Sequence, residues 1–252
     1  MYKELDINDK TIIVTGGARG IGEACCRLFA EKGANVVIAD IDYERALQVE
    51  KSIKKDGFEI YAIETDVSNE EQVKNMIKLT KEKYGKIDIL VNDAAIQEVN
   101  QFDDITINEW KKVIDVNLTG TFLCSREAIK EMKHGGQIIN MLTVHSQLPR
   151  INKYHYDSSK AGIEILTKEL ALTYAKKNIT VNALSFGAVS SPMNSDWLGN
   201  EERVKDTLNK VPMEIIFKPE EIARFGYEIL KNFSLYTTGS VFVIDGGRSL
   251  RG

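Results

Sequence analysis

The stretch 11–33, TIIVTGGARGIGEACCRLFAEKG, constrains this chain more than any other. The apolar β-branched run Ile12-Ile13-Val14 has the pattern of a buried strand. Gly16, Gly20 and Gly22 follow at once. Ile21, Cys25, Leu28 and Phe29 then recur at helical spacing up to Gly33, a residue suited to the position just past a helix C-terminus. Strand, glycine turn and helix N-terminus in that order form an anion site, because unpaired backbone N–H groups and the positive end of the helix dipole converge there. Glycines are needed, since a Cβ would hold a diphosphate away from the backbone. No Lys-Ser or Lys-Thr pair follows them, which argues against a triphosphate-binding loop. A second apolar strand over 34–41 carries Asp40 at its end, about 20 residues past the glycines, where a carboxylate accepts from both ribose hydroxyls of an adenosine.

Beyond this unit, strands predicted over 59–67, 87–96, 137–142, 179–184 and 240–244 alternate with helices. The helices fall over 43–55, over 69–84 with Asn69 as start and Gly85 as stop, through Trp110, Val113, Ile114, Leu118 and Phe122, and over 152–177. That rhythm predicts an α/β fold: a doubly wound parallel sheet with helices on both faces, in one domain spanning 1–252. The irregular region 185–218 carries Pro192, Met193, Trp197, Pro212 and Met213; beyond the carboxyl ends of the strands, it is placed to act as a substrate lid. An ordinary surface excursion competes with that reading, and an exposed Trp197 favours the lid.

A net charge of −4 over 252 residues gives no basic footprint for nucleic acid or an acidic membrane surface. No apolar run reaches the length of a membrane span, and the start MYKELDINDK does not read as a signal peptide, so a cytoplasmic location is expected. Cys25, Cys26 and Cys124 lack metal spacing and read as reduced core thiols. His134, His145 and His155 form no ligand pattern and read as surface or loop residues, so no metal site is expected.

Tyr156 and Lys160 stand at i and i+4, which places a phenol and an ammonium on one helix face. A fixed positive charge favours phenolate, bringing the tyrosine toward the working range of a general base. Tyr227 and Lys231 share that spacing but lie on a late helix with no nucleotide loop beside it, so that pair reads as structural.

The whole chain resembles the classical short-chain dehydrogenase/reductase family. The matching stretches are Thr15 through Gly22, Leu90 through Ala95, Val116-Asn117, Ile138 through Asn140, Tyr156 to Lys160, Val181 through Ala183 and Asp245 through Gly247. The resemblance implies a Rossmann fold and an NAD(P)-dependent oxidoreductase moving hydride between an alcohol or ketone and nicotinamide. By it, Tyr156 is the acid/base, Lys160 lowers its pKa and holds the nicotinamide ribose, Asn117 supports a relay water, and Thr143 stands where the family usually has serine. Gly16, Arg19, Gly20, Ile21 and Gly22 would cradle the cofactor. Asp66 and Val67 would frame adenine, Asn92 and Ala94 the neighbouring ribose, and Val189 and Ser191 the carboxamide. Asp40 repels a 2′-phosphate and ranks NAD ahead of NADP, although Arg19 points the other way. The chain also departs from the pattern at Leu142, Asp93, Ala95 and Phe186. The first makes the corner beside Thr143 more apolar.

A small-molecule alcohol or carbonyl substrate is expected. His145, Gln147, Arg150, Asn194, Asp196 and Trp197 form a polar inventory that suits a sugar, and Ile139 to His145 with Pro149 is similar to bacterial glucose dehydrogenases. A 3-oxoacyl thioester or hydroxysteroid is the alternative, and a non-catalytic dinucleotide-binding regulator is the rival of another class. The family resemblance also implies a homo-oligomer, a tetramer through long central helices.

Overall fold

A computed structural model describes residues 6–233 and 236–251. The glycine-linked unit forms as β1 (Thr11–Thr15) and α1 (Gly20–Glu31). It is followed by β2 (Asn35–Asp40), α2 (Tyr43–Lys55), β3 (Ile60–Glu64), α3 (Glu70–Tyr84) and β4 (Ile89–Asn92). The second half comprises α4 (Ile107–Ile114), α5 (Gly120–Glu131), β5 (Gly136–Thr143), α6 (Tyr154–Tyr174), β6 (Ile179–Phe186), α7 (Ser195–Leu198), α8 (Glu201–Asn209), α9 (Pro219–Glu228) and β7 (Val241–Ile244). Seven strands among the described residues pair in parallel in the order β3-β2-β1-β4-β5-β6-β7. The order reverses between β1 and β4, which opens a crevice beyond the strand ends. The expected doubly wound Rossmann sheet is present.

Alternation along the strands divides the core into two layers. Ile12, Val14, Val36 and Ile38 pack on one face with Phe29 of α1 and Ile222 of α9. Ile13, Val37 and Ala39 pack on the other with Met76 of α3 and Leu123 and Ala128 of α5. Period-two side-chain direction makes both faces apolar, as a sheet covered on both sides requires. Cys25, Cys26 and Cys124 are free and buried in these layers. Asn69 caps α3 by accepting from Glu71 and Gln72 backbone N–H groups, and Gly85 ends the helix in the left-handed region.

Three local expectations are corrected. The helix through Trp110 and Phe122 is interrupted by a π-turn over Asp115–Thr119, so α4 and α5 meet at a widened turn that carries Asn117. The region 185–218 is not irregular throughout, since it contains α7 and α8. His155 is fully buried at the start of α6 rather than on the surface. No helix among the described residues is long and apolar enough to cross a membrane.

Candidate active site

A cleft of about 670 Å³ lies at the β1/β4 reversal. At one end α1 presents its N-terminus. No side chain caps it, and Arg19, Gly20 and Ile21 line the cleft. Gly16 and Gly22 make the approach possible. A Cβ on Gly16, at φ +69°, would sit 2.8 Å from Ala94 Cα, and one on Gly22 would sit 2.2 Å from the Gly16 carbonyl oxygen. Gly22 does not itself line the cleft; it lets the helix close onto the turn. This cradle, with the uncapped first turn, fits a dinucleotide diphosphate.

Asp40 ends β2 within the cleft, and its carboxylate accepts from the Ala18 N–H and the Asp42 N–H, each at 2.9 Å. Those two bonds fix its direction and leave lone pairs for ribose hydroxyls. The Arg19 guanidinium is ion-paired to Asp42. Asp66 and Val67 follow β3 along the same wall, where Asp66 is oriented by accepting from the Ser68 N–H and hydroxyl. Ala94 is also in the wall. Asn92 is not. Its amide donates to Ser125 Oγ and Asn140 Oδ1, so its side chain bridges β4, β5 and α5 instead of facing the cleft.

At the other end, Tyr156, Lys160 and Thr143 converge on one cleft. The Lys160 ammonium donates to the Met141 carbonyl at 2.8 Å and lies 5.7 Å from the Tyr156 ring centre. Burial pulls Lys160 down to about 8 against the Asp93 carboxylate, which raises it. Burial pushes the Tyr156 phenol up to about 12, with the Arg150 guanidinium pulling against it. With the chain's own groups alone, desolvation outweighs the charges around the phenol. Thr143 closes β5, and its hydroxyl accepts from the His145 N–H at 3.3 Å.

Asn117 is fully buried and does not line the cleft. Its Oδ1 accepts from the Ile96 N–H, and its amide donates to the Ile96 carbonyl and to Ser159 Oγ. The π-turn makes it a bracket between the loop after β4 and the second turn of α6. Leu142 is corrected as well. It packs with Ile163 and Ala183 on the opposite side of β5, while Met141 and Thr143 line the cleft. Ala95 and Phe186 do line it, and so does Asp93. Burial drives the Asp93 carboxyl up to about 6, opposed by Lys160 and by the Gly22 N–H.

Val189, Ser191, Asn194 and the half-buried Trp197 line the far wall, so Trp197 is not the exposed residue expected. Gln147 and Asp196 are absent from the lining. Gln147 instead donates to Glu164 of α6. Tyr227 and Lys231 are also outside the cleft, and Tyr227 packs on the α1–α9 core layer. Sequence reasoning missed Lys112, Lys210 and Arg248, which reach the cleft from α4, from the end of α8 and from the turn after β7. Only three-dimensional return of the chain brings them there. No group of three potential metal ligands occurs among the described residues.

Comparison with known proteins gives the same architecture over the whole chain. A family model described as Enoyl-(Acyl carrier protein) reductase matches residues 16–249. Glucose 1-dehydrogenase 2 of Bacillus subtilis is 36% identical over 255 residues, covering 99% of this chain and 98% of that protein. 3beta-hydroxysteroid dehydrogenase 1 of Eggerthella lenta is 37% identical over 249 residues, covering 97% and 95%. Among solved structures, a candidate gluconate dehydrogenase from Agrobacterium tumefaciens superposes with a TM-score of 0.93 at 30% identity over 97% of both chains. A dehydrogenase/reductase from Sinorhizobium meliloti superposes at 0.91, also at 30% identity, over 96% of both.

Proposed function

The chain belongs to the short-chain dehydrogenase/reductase family and is an oxidoreductase acting on alcohol groups with a nicotinamide cofactor; within that family we propose an NAD-dependent enzyme for a polyhydroxylated alcohol and its ketone. One observation carries the reading: Asp40 at one end of a single cleft and the Tyr156, Lys160 and Thr143 triplet at the other. Asp40 would accept from the ribose 2′-hydroxyl and repel a 2′-phosphate, and Arg19 is withheld from such a phosphate by its ion pair with Asp42.

When bound, the nicotinamide supplies the hydride acceptor for oxidation and the hydride donor for reduction. Tyr156 exchanges the hydroxyl proton with the substrate oxygen, and Thr143 Oγ1 orients that oxygen by donating to it or accepting from it. A phenol held near 12 is protonated at neutral pH, which suits donation to a carbonyl and makes oxidation gain as pH rises. Lys160 keeps donors toward the ribose beyond the one spent on Met141. Asn117 is a positioning residue that holds Ile96 and, through Ser159, the turn bearing Tyr156. Segment 185–218, with α7 and α8, acts as a lid on a domain spanning the whole chain.

Buried free thiols at Cys25, Cys26 and Cys124 support a reducing, cytoplasmic location. Exposed Phe122 on α5 and exposed Ile165 and Leu172 on α6 support a homotetramer through those helices, to be checked by sedimentation. Tyr156→Phe is the deciding test of the chemistry. It should lower kcat/KM by about a thousandfold, while calorimetric NAD affinity stays close to that of the wild type. Unchanged turnover would remove Tyr156 from the reaction.

A further inference from the structure

The relatives named above act on substrates that differ in charge and polarity, so the substrate class must come from this chain's own cleft. The ionisable lining is divided by position. Asp40, Asp42, Asp66 and Asp93 all come from the ends of β2, β3 and β4. From Ala94 onward the lining contains no carboxylate; its ionisable members are Lys112, His145, Arg150, Tyr156, Lys160, Lys210 and Arg248. A chain with net charge −4 thus presents a cationic wall beside its reacting tyrosine.

The cations in that wall are not equivalent. Lys112 pairs with Glu98 at 2.8 Å, Lys210 with Asp206 at 2.5 Å and Arg150 with Asp157 at 2.6 Å. Arg248 has no ion-pair partner among the described residues; one of its nitrogens donates to the Arg251 carbonyl. The nearest carboxylate in sequence, Asp245, feels the Arg248 charge but makes no ion-pair contact with it, its hydrogen bonds going to the turn backbone. It accepts from the Gly247 N–H at 2.8 Å and the Ser249 N–H at 2.6 Å, bracing the turn that turns Arg248 into the cleft. Gly247 sits at φ +87°, which that turn requires.

Arg150 and Arg248 act on the same neighbour. Together with burial, both lower His145, which is held down at about 4. Its Nδ1 lies 2.9 Å from the Leu148 carbonyl, an acceptor, so Nδ1 carries the proton and Nε2 is left as an acceptor. The Arg150 guanidinium is also 5.4 Å from the Tyr156 ring centre, which puts it beside the reacting tyrosine rather than on a distant rim.

Resting on the oxidoreductase reading above, we propose that the substrate is a hydroxy acid and its oxo acid, with the carboxylate bound by Arg248 beside Arg150 and a further hydroxyl donating to His145. A guanidinium with unspent donors recognises a carboxylate by paired charge-assisted hydrogen bonds, and the surrounding positive potential reduces the cost of bringing that anion out of water. A neutral polyol would leave Arg248 with no directly contacting counter-charge when the cleft fills, only the longer-range field of Asp245.

The test measures binding as well as turnover. Three matched pairs serve as probes: D-gluconate and D-glucitol, glycerate and glycerol, and 3-hydroxybutyrate and butan-2-ol. Each is titrated into the protein saturated with NADH and assayed for turnover with NAD. In at least one pair the acid should bind about tenfold more tightly than its neutral partner. Arg248→Gln should abolish that preference by raising KM for the acid, and NAD affinity measured alongside should not move. Equal or weaker binding of every acid, or an acid preference that survives Arg248→Gln, overturns the proposal even if neutral alcohols are oxidised. A coincident loss of NAD affinity in Arg248→Gln would assign the guanidinium to the cofactor and also overturn it. Failure of the wild type to bind NAD or NADH at all would instead overturn the underlying oxidoreductase reading.

Discussion

The two walls of the cleft are built to opposite electrostatic designs. On the β2–β4 side, carboxylates are fixed by backbone N–H groups: Asp40 by Ala18 and Asp42, and Asp66 by Ser68. The single arginine there, Arg19, is neutralised by Asp42. On the side built from α4, β5, α6 and the chain's last turn, the lining is cationic, and its carboxylates stand behind the cations rather than in the cleft. On the cofactor reading proposed above, the first design would select ribose hydroxyls over an extra phosphate. On the substrate proposal, the second would accept an anion. The two halves of the cleft thus carry opposite signs, and Asp93 and Lys160 stand on either side of the line between them.

Among changes to the two walls, the largest effect should come from breaking that line. Lys160→Met removes the buried ammonium and leaves the Asp93 carboxylate without its opposing charge; kcat/KM should fall by at least about a hundredfold. A near-normal rate constant in stopped-flow assays would show that Lys160 only props up α6. The acidic wall is broken more gently by Asp40→Ala. With a hydrogen bond to a charged acceptor removed, NAD affinity should weaken by about tenfold, and the NAD to NADP affinity ratio should drop with it. An unchanged ratio in parallel titrations would shift cofactor choice to another residue.

What was legible in the sequence follows the same division. The β1-turn-α1 unit could be read because every determinant is local: β-branched strand, glycines at the turn, apolar helical spacing and a terminal glycine within one short stretch. Asp40 was legible for the same reason. The cationic wall was not, because Lys112, Lys210 and Arg248 are far apart in the sequence and converge only through the return of β7 to the sheet edge. Asn117 was legible as a residue, but its bracing contacts with Ile96 and Ser159 were not, since no local propensity announces a π-turn. Leu142 was misjudged because it adjoins Thr143 in sequence, whereas consecutive strand residues face opposite sides of the sheet, so Leu142 turns away from the cleft that Thr143 lines.

Asp93→Asn sharpens the comparison through its pH dependence. The Asp93 charge raises both Lys160 and Tyr156. Asp40, Cys25, Cys26 and the Gly22 N–H also adjoin it; the same charge raises both thiols, which burial alone pushes further up. Without that charge Lys160 and Tyr156 lose protons more easily, so both limbs of the kcat/KM profile should move to lower pH. Stability also changes with a definite sign. The folded pKa of Asp93, about 6, exceeds the ordinary aspartate value of 3.8, so its contribution is fully present below the latter and is lost as pH rises through the former. The amide introduced by Asp93→Asn does not titrate, so the wild type should lose stability relative to the variant across that window in denaturant titrations. A profile that stays fixed would place Asp93 outside the electrostatic coupling.

The smallest effect belongs to Thr143→Ser. The Thr143 hydroxyl is the functional atom, and its γ-methyl only narrows rotation about χ1. Thr143→Ser keeps the oxygen that accepts from the His145 N–H, so kcat/KM should change by less than about threefold, under about 1 kcal/mol in barrier. Thr143→Val keeps the branched shape and removes the oxygen, and should cost about a hundredfold. If the two variants fell equally, the methyl packing would matter and the hydroxyl would not. The departure from serine would then be a change in the reacting end of the cationic wall, not a conservative replacement within it.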